Sequence, residues 1–107
     1  EIKLDGLVAA NTTVYRSGLE TSASKLENIG TGGLSGRPLE QRSNEVVKNI
    51  CNKTKGIVPV IASGGIFTGA GAKAKLDAGA SLVQVWTGFI YEGPGIVKRI
   101  CAVLNKK

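Results

Sequence analysis

Three short apolar runs set the limits on what this chain can fold into: Gly6–Ala10 (GLVAA), Val58–Ala62 (VPVIA) and Ser81–Trp86 (SLVQVW). Each is near-continuously apolar rather than alternating, the pattern of a parallel strand covered on both faces. A polar or glycine-bearing turn follows each run, and then a helical pattern. Ser43 is placed to cap a helix whose buried stripe is Val46, Val47, Ile50 and Cys51. Thr68 is placed to cap a second, alanine-rich helix that Gly79 ends. Pro94 suits the first turn of a third, with Ile96, Val97, Ile100, Val103 and Leu104 facing inward. The order is β-α-β-α-β-α, joined by right-handed crossovers.

The last two runs lie about one compact βα repeat apart, a spacing that suits a (β/α)8 barrel. A doubly wound sheet accepts the same units. With 107 residues the chain holds at most one domain, and three units cannot close a barrel. The inner strand faces and both sheet edges would stay bare. The expected architecture is therefore α/β: the C-terminal three βα units of a (β/α)8 TIM barrel, with parallel strands, incomplete in this chain and oligomeric when isolated. The opening EIKLDG carries no methionine and reads as the interior of a longer polypeptide.

One connection is long. Roughly thirty residues separate Asn11 from the helix at Ser43, where an ordinary βα loop has a handful. Its Ser-, Thr- and Glu-rich middle would suit a disordered insertion. The GTGGLSG turn near its end, followed by a capped helix, favours a lid or binding loop.

Composition excludes several chemistries. The formal charge is +6 and there is no histidine, which removes histidine triads, histidine metal ligands and histidine general bases. The cations are scattered over three helical patterns, Lys48, Lys53 and Lys55, then Lys73 and Lys75, then Lys98 and Arg99. No basic run is interleaved with aromatics, so nucleic acid is not the expected partner, and solvated helix faces account for these lysines. Cys51 and Cys101 match no zinc spacing and read as buried free thiols, so no metal is expected. No apolar run approaches 18 residues, so no membrane span is expected, nor is a signal peptide.

In a barrel, function gathers where strands end, and phosphate commonly binds at the last two such loops. Here those are SGGIFTG (Ser63–Gly69) and TGF (Thr87–Phe89). Glycine lets backbone N–H groups approach an anion with no Cβ in the way, and the helix starting near Thr68 would add partial positive charge. Tight turns alone also explain such glycines. The first strand ends in NTT, where Asn11 and Thr12 offer donors and acceptors suited to a ring edge carrying both C=O and N–H. A turn closed by Thr12 or Thr13 is the plainer reading of those three residues.

Taken in order, DGLVAANTT, TGGLSGRPL and IASGGIFTGAGAKAKLDAGASLVQVWTGFIYEGP resemble the C-terminal part of class 2 dihydroorotate dehydrogenase over essentially the whole chain. The resemblance implies residues 1–107 of one FMN-binding barrel domain, a flavoprotein oxidoreductase of pyrimidine (UMP) biosynthesis. That activity oxidises dihydroorotate to orotate with quinone as acceptor. It implies substrate contacts at Asn11 and Thr12, and flavin contacts at Ala10, Gly36, Gly65, Trp86 and Thr87. Ala10 stands where the family usually has Thr or Ser, so a hydroxyl contact is lost there; Trp86 stands where tyrosine is commoner. The family's catalytic serine, its flavin-contacting lysine and its N-terminal quinone- and membrane-binding region have no counterpart in this sequence, so the chain alone is expected to be inactive. The implied location is the cytoplasmic side of a bacterial inner membrane, with the mitochondrial inner membrane as alternative. A stand-alone phosphate-binding or structural module built from part of a barrel is the other reading.

Overall fold

The computed structural model describes residues 2–106. Three strands, β1 (Leu7–Ala9), β2 (Val60–Ser63) and β3 (Leu82–Gln84), form one sheet in the order β1-β2-β3. Both pairings are parallel, as the apolar runs predict. The helices are α1 (Ala23–Ile29), α2 (Glu40–Lys53), α3 (Gly69–Asp77), α4 (Thr87–Glu92) and α5 (Ile96–Leu104). A 3-10 turn, Arg37–Leu39, leads into α2.

The register explains which sheet face is covered. Ala9 pairs with Ala62, and Ala62 with Val83. The alanines are buried against Val47 and Val60 beneath α2, while Val83 packs on a second cluster of Ile66, Ala72, Ile96 and Ile100 between α3 and α5. The alternate row is Val8, Ile61 and Leu82. Side chains alternate faces along a strand, so this row points away from the helices. Val8 and Leu82 are each 61% exposed. One face of the sheet therefore carries helices and the other carries aliphatic side chains with nothing over them.

Helix ends follow the sequence in part. The Thr68 hydroxyl accepts from the Gly71 N–H at 3.0 Å, the N-cap expected there. Gly79, at φ 111°, closes α3 with its N–H on the Leu76 carbonyl while the Ala80 N–H bonds the Lys75 carbonyl, a Schellman ending. Ser43 is not a cap. The 3-10 turn at Arg37-Pro38-Leu39 starts the helix earlier, so Ser43 lies a turn inside α2 and is buried. Pro94 sits in the bend before α5 rather than in its first turn. Of the stripe expected on α5, Ile96 and Ile100 are buried, but Val97 and Val103 are exposed. Both cysteines are free as expected; Cys51 is half-buried and Cys101 is exposed rather than buried.

Candidate functional site

Parallel pairing brings the C-terminal ends of all three strands to one edge of the sheet, where a cleft of about 480 Å³ opens. Ala10, Asn11, Thr12, Gly36, Gly65, Trp86 and Thr87 all line it. Residues spread over most of the sequence thus meet in one place because each lies just past a strand end or in the loop that returns over it. Ser35 and Gln84 line it too, beyond the residues expected from sequence, together with Ser63 at the head of the SGGIFTG loop. Ser35 lies inside the GGLSG motif, so a signal for it was present.

The two glycine-bearing turns touch. Gly88 approaches the turn after β2 so closely that a Cβ there would sit 2.1 Å from the Ile66 carbonyl oxygen. The GGLSG turn closes the third side: the Thr87 hydroxyl bonds the Ser35 hydroxyl at 2.9 Å. Gly65 combines φ 72° with a position where a Cβ would fall 2.5 Å from the Glu40 Cα, so backbone conformation and packing both require glycine. Among the described residues, the N–H groups of Gly64, Gly65, Thr87 and Gly88 donate to no backbone carbonyl. They are neutral donors at the rim of the cleft. Thr68 and Gly69 do not line it. The first turn of α3 packs on α5, with Gly69 against Val103.

At the end of β1, the Asn11 side-chain oxygen accepts from the Thr12 N–H at 2.8 Å. This bond leaves the Asn11 amide NH2 and the Thr12 hydroxyl for a ligand. Gly33 lies directly against Thr12, since a Cβ on it would meet the Thr12 Oγ1. The long connection is no loose insertion. Thr13 and Leu34 exchange backbone bonds of 3.0 and 2.7 Å, forming an antiparallel bridge that ties its two ends together. Its middle folds into α1, which has no buried residue.

No titratable side chain lines the cleft among the described residues. The nearest unusual one lies behind it. Lys75, expected on a solvated face, has no exposed surface. Its ammonium donates to the Ser43 hydroxyl and to the Glu40 carbonyl at 3.3 Å. Burial pulls its pKa down to about 8, and the Glu40 carboxylate partly opposes that shift.

An open parallel sheet, helices on one face and a cleft at the carboxyl edge of its strands define part of a (β/α)8 barrel. The sequence model for dihydroorotate dehydrogenase matches residues 1–107, and the chain belongs to that family. It is 48% identical to dihydroorotate dehydrogenase (quinone) of Trichodesmium erythraeum over 100% of this chain and 29% of that protein. With the protein of the same name from Gloeobacter violaceus, identity is 50% over 97% of this chain and 28% of the relative. A crystal structure of the Eimeria tenella enzyme in complex with ferulenol superposes with a TM-score of 0.85 at 46% identity, covering 94% of this chain and 26% of that one. The chain spans just over a quarter of the length of these relatives.

Proposed function

We propose that residues 1–107 form the C-terminal part of an FMN-binding barrel that oxidises dihydroorotate to orotate with quinone as acceptor, in pyrimidine biosynthesis. The observation that carries this reading is the meeting of Asn11, Thr12, Gly36, Gly65 and Thr87 in one cleft whose rim holds free backbone donors. The residues fit FMN: the Gly64, Gly65, Thr87 and Gly88 amides suit a phosphate, and Val8, Leu39, Ile66 and Trp86 give an apolar lining for a ring system. FMN, when bound, supplies the two-electron acceptor for the oxidation.

Within this scheme Asn11 donates its amide to a carbonyl of dihydroorotate, and Thr12 offers its hydroxyl beside it. Ala10 and Trp86 contribute main chain and packing. Removing the substrate's C5 proton requires a base. The resemblance makes that base a serine on a loop with no counterpart in this sequence, so on this reading it is supplied from outside the chain. Delivery of electrons to quinone likewise falls to a region outside it, peripheral on the cytoplasmic side of a bacterial inner membrane, in keeping with the bacterial relatives. The mitochondrial inner membrane is the alternative location. Among the described residues, no helix is long and apolar enough to cross a membrane.

Two measurements test this. The isolated chain, given dihydroorotate and an artificial acceptor, is expected to show no turnover; activity above buffer would overturn the placement of the base. In the dehydrogenase that carries this chain, Asn11→Ala should raise KM for dihydroorotate about tenfold, the loss of one directed hydrogen bond. An unchanged KM would refute the substrate contact. Tight saturable FMN binding by the isolated chain would instead favour a stand-alone phosphate-binding module.

A further inference from the structure

The buried group behind the cleft bears on how its donors are aimed. Ser43 has one hydroxyl proton and two carbonyl oxygens within reach, Glu40 and Gly64, each at 3.0 Å. A charged lysine donates and cannot accept, so the Ser43 oxygen must accept from Lys75. Lys75 also serves the Glu40 carbonyl, which leaves the Ser43 proton for Gly64. Ser43 and Lys75 do not line the cleft, whereas Gly64 and Gly65 do. The carbonyl of Gly64 is therefore drawn toward the helix layer. In a trans peptide the N–H points opposite to the C=O, so the Gly65 N–H is turned the other way, toward the cleft.

We propose that Ser43, itself fixed by Lys75, is a positioning residue that holds the Gly64–Gly65 peptide with its N–H facing the bound phosphate. This rests on the phosphate-site reading above, and two readouts separate the two ideas.

The first compares FMN with riboflavin, which lacks the phosphate, by quenching of flavin fluorescence in the dehydrogenase carrying this chain. Ser43→Ala is expected to weaken FMN about tenfold and leave riboflavin unchanged, since only the phosphate loses a charge-assisted bond. Lys75→Met, which frees the Ser43 hydroxyl to turn, should lower the same preference severalfold. Ser43→Thr, which keeps the hydroxyl, should retain it. A packing role alone would weaken both flavins equally, and that result would overturn the proposal.

The second readout is the crystal structure of Ser43→Ala, in which the Gly64–Gly65 peptide should be rotated. A peptide left in place would overturn the proposal whatever the flavin affinities. If the unaltered protein shows no preference for FMN over riboflavin, the phosphate reading fails, and the peptide's orientation still decides the role of Ser43. Should Ser43→Ala not fold, Lys75→Met carries both measurements.

Discussion

Lys75 exchanges hydration for two oxygen partners, and its proton affinity records the exchange. Its folded pKa of about 8 lies below the ordinary 10.5. Below pH 8 both folded and unfolded chains hold the proton. Between 8 and 10.5 only the unfolded chain does, so stability rises with pH through that window and levels off above it. The full gain is about 3 kcal/mol by linkage. Urea unfolding at pH 7.5 and pH 10 should show the native protein gaining on a Lys75→Met variant; parallel changes in the two would mean that the pKa is not depressed. Nothing in the sequence marked this lysine. Alanine and glycine make up most of α3 itself, so no apolar stripe distinguishes Lys75 from Lys73, which pairs with Asp77 in solvent. The cleft residues were more legible, because NTT, GGLSG and SGG are local signatures tied to strand ends.

Among elements, the strands and α2, α3 and α5 follow from apolar runs, and α3 also from its Thr68 cap, while α1 and α4 do not. α1 has no buried face, so no periodic pattern announces it. α4 is a short helix in place of the open TGF turn, and its Gly88 is fixed by contact with the neighbouring turn, a tertiary cause no local pattern carries. The long connection is where sequence and site are most tightly joined, because the Thr13–Leu34 bridge closing it sets Gly33 against Thr12. Gly33→Ala is expected to push the Thr12 hydroxyl aside while leaving the Gly64–Gly65 side of the cleft intact. Under the function proposed above, a complete barrel containing this chain should show KM for dihydroorotate raised about tenfold, with FMN affinity within twofold of the original. Equal loss of both would show that the substitution disturbs the whole cleft.

The molecule as a whole is a slab of 44 × 38 × 19 Å. Its radius of gyration of 15.1 Å exceeds the roughly 13 Å of a compact chain this long, because a sheet with helices on one face is only two layers deep. Val8, Ile61 and Leu82 form the inward row of a barrel wall whose other staves are not in this chain. Left in water, that surface forfeits about 25 cal/mol for each Å² of apolar area. Sedimentation of the isolated chain should therefore reveal self-association; a well-folded monomer at all concentrations would contradict that expectation. The Thr13–Leu34 bridge has a different implication. Since the backbone departs and returns through one pair of residues, the stretch from Val14 to Gly32 is a detour with a common entry and exit, Gly33 staying fixed against Thr12. It is an exchangeable cassette: its length and composition can diverge among descendants, or be swapped by an engineer, while the strand ends beneath keep their positions.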